Sequence, residues 1–132
     1  LAAPDIDAEL FKKKIAPKLA GLASRVSLYG SSNDLAMSVS RIYNQGRRAG
    51  DSVPEIVVAK GIDSIDVSQI DTSLVGHSYY GSNRSVITDI REVLLKKKPE
   101  NRDFLDRRRA EVNPLQSWYF NPLKRGSLPG LR

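Results

Sequence analysis

The chain has 132 residues, 40% of them hydrophobic and 27% charged, which suits one domain of ordinary size and not a disordered segment. It has no cysteine and a single histidine, which excludes a disulfide scaffold, a cysteine nucleophile and a thiolate metal site. The net charge is +6, but residues 1–95 hold 11 Lys/Arg against 11 Asp/Glu and residues 96–132 hold 10 against 4, so the last part of the chain carries the whole excess. That excess is gathered in KKKPENRDFLDRRR around a proline. A nucleic-acid surface would spread its charge over a folded face with interleaved aromatics, so no nucleic-acid partner is expected. No apolar run approaches the ~20 residues of a bilayer span, and the opening LAAPDID lacks the basic region of a signal peptide.

Leu1-Ala2-Ala3 is apolar and runs into Pro4-Asp5-Ile6-Asp7, as the end of a buried parallel strand runs into a turn. The expectation is that the chain begins inside a fold. Asp7 then caps a helix over Ala8–Leu22 whose buried face is Leu10, Phe11, Ile15, Leu19 and Leu22, with Pro17 kinking or splitting it. Arg25–Tyr29 reads as a strand stopped by Gly30-Ser31-Ser32-Asn33. A second helix spans Leu35 to about Asn44, and Gln45–Asp51 is a loop. Ile56–Val58 and Ile62–Val67 are extended, separated by Lys60-Gly61. A polar loop carries His77, and a third helix follows from about Ser82 to Leu95. Its expected buried stripe is Val86, Ile90, Val93 and Leu94, with Lys96–Lys98 at the negative end of its dipole and Pro99 ending it. Residues 99–132 are read as an irregular basic tail that docks Trp118-Tyr119-Phe120 on the body. Strands alternating with helices predict an α/β layer with a largely parallel sheet, of which two or three strands make only a portion.

In open α/β sheets reactive groups collect at the carboxyl ends of strands. Asp34 follows the strand Arg25–Tyr29, and His77 follows the later strand. An acid and then a histidine, in that order, is how an α/β-hydrolase completes a Ser, Asp/Glu, His triad. A neutral imidazole near pH 7 can take the proton of a serine hydroxyl, and a carboxylate fixes its tautomer and steadies the imidazolium. The attacking serine is missing. Gly76-His77-Ser78-Tyr79-Tyr80-Gly81 places its glycine one residue late for G-x-S-x-G, and Gly126-Ser127-Leu128-Pro129-Gly130 contains a proline and follows no strand.

Simpler roles stand beside these. Asp34 is also a good N-cap for the helix after it. His77 in isolation is an ordinary hydrogen-bonded loop residue. Asp5 is a rival acid because it too follows a strand end. Asp63, Asp66 and Asp71 miss the EF-hand spacing and read as turn and strand-edge residues.

The strings LAAPDID, RVSLYGSSNDLAMSVSR, RAGD, IDSIDVS and GHSYYGSNRSVITDI closely resemble the carboxyl-terminal half of a family of uncharacterised bacterial α/β-hydrolases of the esterase/lipase superfamily, from Leu1 to about Lys98. The resemblance implies the carboxyl-terminal portion of an α/β-hydrolase fold over residues 1–98, incomplete as given, with the tail at 99–132 outside it. By the same resemblance Asp34 corresponds to the triad acid and His77 to the triad histidine, and Asp34 is favoured over Asp5. The family's nucleophile and oxyanion hole have no counterpart here, so the serine is expected upstream of Leu1. The expected function is hydrolysis of a small-molecule carboxylic ester, with no metal or organic cofactor required. The alternative is a non-catalytic α/β module that binds a partner or self-associates through an exposed sheet edge.

Overall fold

The computed structural model describes residues 1–32, 46–70, 84–108 and 117–121. The helix read over 35–44 therefore lies outside the described residues. Asp7 caps the first helical run as expected, its Oδ1 accepting the Leu10 N–H at 2.8 Å. That run consists of α1 (Ala8–Leu10), a π-helical turn at Phe11–Ile15 and α2 (Ala16–Leu22). Pro17 does not split it. The Ala16 N–H reaches back five residues to the Phe11 carbonyl, and this widened turn accommodates a residue that can donate nothing to the ladder.

The π turn inserts one extra residue, so the face toward the sheet shifts. Ala8, Phe11 and Ala16 are buried and Ile15 and Leu19 partly so, whereas Leu10 and Leu22, expected inside, are 46% and 85% exposed.

β1 (Val26–Gly30) and β2 (Ile62–Asp66) pair in parallel, in register from Val26 opposite Ile62 to Gly30 opposite Asp66. Leu1–Ala3, read as the end of a buried strand, runs parallel to β1 through one isolated bridge, with Ala3 buried but Leu1 and Ala2 exposed. The Tyr29 N–H donates to the Leu1 carbonyl and the Ala3 N–H to the Tyr29 carbonyl, each at 2.9 Å. Ile56–Val58 joins no strand, but Ile56 and Val57 are buried.

Beyond β2 the reading of residues 99–132 as irregular is corrected. β4 (Ser117–Phe120) pairs parallel to β2, and β3 (Leu105–Arg108) pairs antiparallel to β4, giving the order β1-β2-β4-β3. The aromatic cluster is therefore a strand: Trp118 lies opposite Ile65, and Phe120 stacks on Phe104 with ring centroids 5.6 Å apart. A β-branched and aromatic strand of this kind is stable when a hydrophobic face and a paired neighbour are both available.

Alternation along the strands builds two cores. Leu28 and Ile62 face the Ala8–Leu22 helical run with Phe11, Ala16, Ala49 and Val57. Tyr29, Ile65, Trp118 and Phe120 face the other way, with Leu105 and with Val86 of α3 (Arg84–Leu94). The sheet is thus covered on both faces, a mostly parallel mixed α/β layer as expected.

α3 turns a different side inward than its apolar periodicity predicts. Val86 is buried, but Ile90 and Leu94 are 37% and 77% exposed, and the inward positions go to Asp89 and Glu92. The cause is a cation from outside the helix. Arg102, fully buried, sets Nε 3.4 Å from Asp89 Oδ1 and donates from Nη1 to Ser27 Oγ of β1 at 3.2 Å. Tyr29 donates its hydroxyl to Asp89 Oδ2 at 2.6 Å. Burial raises the Asp89 carboxyl above its ordinary value, and the Arg102 charge opposes that rise. Burial and the Asp89 charge together push the Tyr29 hydroxyl up, so it keeps its proton and acts as a donor. Glu92 accepts the Asp103 N–H at 2.8 Å and pairs with Lys97. The helix ends before Pro99: Lys96 is left-handed at φ 59°, and the Lys97 N–H bonds the Glu92 carbonyl.

Two stability outcomes follow from this packing. Arg102→Met should cost about 3–5 kcal/mol at pH 7.5 in urea unfolding, because it strands a buried carboxylate. Without its cation Asp89 rises further, so proton uptake neutralises it and the deficit should shrink between pH 7.5 and pH 5; a deficit constant with pH contradicts the pairing. At Gly50 an added Cβ would lie 2.5 Å from the Ala3 carbonyl carbon and 2.6 Å from its Cα. Gly50→Ala should therefore lower stability by about 3 kcal/mol, since backbone cannot yield as a side chain does.

Candidate active site

The carboxyl ends of β1 and β2 lie side by side because the strands are adjacent, parallel and in register to their last residues. Past Gly30 and Asp66 the ladder continues for one bond, from the Val67 N–H to the Gly30 carbonyl at 2.9 Å. The strands then part, and side chains take over the pairing.

Ser68 is the centre of that exchange. Its Oγ accepts the Ser32 N–H at 2.8 Å and donates to Asp66 Oδ1 at 2.5 Å. Asp66 Oδ1 also accepts the Ser68 N–H at 3.0 Å. Ser52 Oγ lies 2.9 Å from Ser68 Oγ. A hydroxyl has one proton, and that of Ser68 is committed to the carboxylate, so Ser52 is the donor of this pair. Ser52 arrives on the segment following Gly50, whose carbonyl accepts the Ser31 N–H at 3.0 Å. Beside it Asp51, buried, accepts the Val53 N–H at 3.0 Å. Three stretches of chain, 31–32, 50–53 and 66–68, are thus tied at one edge, with Ser31, Asp51, Ser52 and Asp66 all buried.

Asp34 follows Ser32 by two residues in the chain, and His77 follows Asp66 by eleven. Both lie outside the described residues, as does Asp71. The rival acid Asp5 is described: it accepts from Arg48 Nε at 2.6 Å and is half exposed. Asp63 pairs with Arg25 at 2.6 Å. Alternation along β2 separates Asp63 from Asp66 onto opposite faces of the sheet. They serve as strand residues, in line with the simpler reading of them. Among the described residues no group of three His, Cys, Asp or Glu converges, and no helix is long and apolar enough to cross a membrane.

A cavity of about 490 Å³ opens at the other end of the strands, lined by Arg25, Asp63, Lys98 and Trp118 among others. It surrounds Arg25 and Ile62, where β1 and β2 begin, whereas ligands of open α/β sheets gather where strands end. The edge tied by Ser68 is therefore the candidate site. Sequence reasoning did not single out Ser52, Asp66 or Ser68 for it. The available signal was the pattern D-x-S directly after an apolar strand, which favours a side-chain-to-backbone turn at a strand end.

No curated protein and no solved structure matches the chain. One family model, alpha/beta hydrolase of unknown function (DUF900), matches residues 1–97, a stretch that contains β1, β2, α3 and the edge just described. The parallel strands, their covered faces and this match over most of the chain lead to one conclusion: the chain belongs to the DUF900 family of alpha/beta hydrolases of unknown function.

Proposed function

We propose that this chain supplies the acid and the base of a serine hydrolase site that cleaves small-molecule carboxylic esters. His77 is the base and Asp34 its orienting acid. The attacking serine comes from polypeptide outside these 132 residues, since no G-x-S-x-G occurs among them. The observation that supports the reading is the pairing of β1 with β2, because the chain leaves both strands at one edge, toward Asp34 from β1 and toward His77 from β2.

In this mechanism the His77 imidazole takes the serine proton as the hydroxyl oxygen attacks the ester carbonyl. The tetrahedral adduct collapses, and the imidazolium returns the proton to the departing alcohol. Water then attacks the acyl-serine with His77 again as base, which releases the carboxylic acid and restores the serine. Asp34 accepts a hydrogen bond from the other ring nitrogen and lowers the energy of the imidazolium formed in each half-reaction. Neither half-reaction needs a metal or organic cofactor.

With one histidine in the chain, its titration can be followed by NMR without assignment. A facing carboxylate favours the charged ring, so Asp34→Asn should lower the His77 pKa by about one unit; an unchanged value overturns the pairing. The 132-residue chain should hydrolyse an activated ester no faster than its His77→Ala variant, and His77-dependent turnover by the chain alone would refute an external nucleophile. In a protein that also carries the serine, His77→Ala should cost about four decades in kcat/KM, and retention of more than a few per cent of the rate removes His77 from the reaction.

A further inference from the structure

We infer that the outward face of α3 docks on an anionic lipid surface, lying on it without crossing it. The face uses none of the residues tied at the Ser68 edge, and it does not depend on the roles proposed for Asp34 and His77.

Ile87, Ile90 and Leu94 recur at helical spacing on the side of α3 away from the sheet. Leu95 extends that side, its N–H still bonded to the Arg91 carbonyl. Ile87 is 47% exposed, Leu95 62%, and Leu94 more than either. Four neighbouring aliphatic side chains in water make a patch, which differs from the scattered exposure ordinary for a surface. Rolling the helix to bury them is opposed from its other side. Arg102 holds Asp89 there, and Lys97 and the Asp103 N–H hold Glu92. A roll that took Ile90 and Leu94 inward would carry both carboxylates away from these partners.

Charge selects what meets the patch. Asp89 and Glu92 are the two acids of α3 and both are buried, so its outward face carries no carboxylate. From Arg91 to Glu100 the exposed charges are the cations Arg91, Lys96 and Lys98 against Glu100 alone. Arg91 lies within the patch, four residues from Ile87 and four from Leu95. A second copy docked on the same face by a two-fold axis would therefore set like charges together. A lipid layer fits the pattern as it stands. The aliphatic tips enter the acyl boundary, while the long stems of Arg91, Lys96 and Lys98 keep their charges among anionic headgroups. The flank of a single helix is also convex, which suits a layer better than a pocket.

The test is co-sedimentation of the 132-residue chain with lipid vesicles. Binding should be at least about tenfold tighter to vesicles of equal parts phosphatidylcholine and phosphatidylglycerol than to phosphatidylcholine alone, and should weaken as salt rises. Leu94→Ser with Leu95→Ser should lower the affinity about tenfold or more at an unchanged urea midpoint, since both side chains are already in water. Arg91→Gln with Lys98→Gln should remove most of the preference for the anionic vesicles. Two controls sit on the helical run that covers the opposite face of the sheet. They are Leu22→Ser, at the most exposed leucine among the described residues, and Lys14→Gln with Lys18→Gln, which removes equal charge. Both should bind as the wild type does. If the α3 variants bind like the controls, or the chain binds no vesicles, the inference falls. A dimer in sedimentation velocity that Leu94→Ser with Leu95→Ser dissociates would then give the face to a second copy. Retention on immobilised polyglutamate that only the Arg91 and Lys98 pair abolishes would give it to an acidic protein instead.

Discussion

The parallel pairing of β1 with β2 is the constraint on which the rest of this molecule depends. It aligns two strand ends at one edge, and it leaves two apolar faces that must both be covered. The helical run over Ala8–Leu22 covers one face and α3 the other, with Leu28 and Tyr29, neighbours in sequence, pointing into different cores. A slip of one residue in this ladder would exchange the two cores and separate the ends that Ser32 and Ser68 join.

The face under α3 is held by charge as much as by apolar contact. Asp89 sits where an aliphatic residue is expected, and it is tolerated because Tyr29 and Arg102, the latter also bonded to Ser27, meet it in a space closed to water. Arg102 lies beyond the residues matched to the family, as do β3 and β4, while Asp89, Tyr29 and Ser27 lie within them. The residues after Lys97 are therefore joined to the family core by a buried ion pair and by strand pairing along β2. A buried pair of this kind adds little net stability over an apolar alternative, but it is costly to break, and it ties one element to one position.

At the opposite end of the same ladder, the edge tied by Ser68 is polar and tightly bonded. Ser52, Ser68 and Asp66 bond one another there, and Ser68, Asp66 and Asp51 accept N–H groups of the backbone around them. Such an edge suits a site whose reacting groups arrive on the loops that follow, because the loops then start from fixed points.

Features carried by neighbouring residues were open to inspection in the sequence. Asp7 before a helical period, apolar Leu1–Ala3, and the two strands read over Arg25–Tyr29 and Ile62–Val67 all depend on local spacing and side-chain type. What escaped depended on partners far along the chain. The π turn before Pro17 rotated Leu22 outward; Arg102 holds Asp89 inward, Lys97 and the Asp103 N–H hold Glu92, and Ile90 and Leu94 turn to solvent. Leu105–Arg108 and Ser117–Phe120 carry too little periodicity to read as strands, and they become strands because β2 offers them an edge. Ser68 is one serine among many until three segments meet at its hydroxyl. Residue type and short-range order thus set the class of fold, while burial and long-range pairing chose which faces turn inward and which side chains hold the edge, because those choices are made between atoms that the chain brings together only on folding.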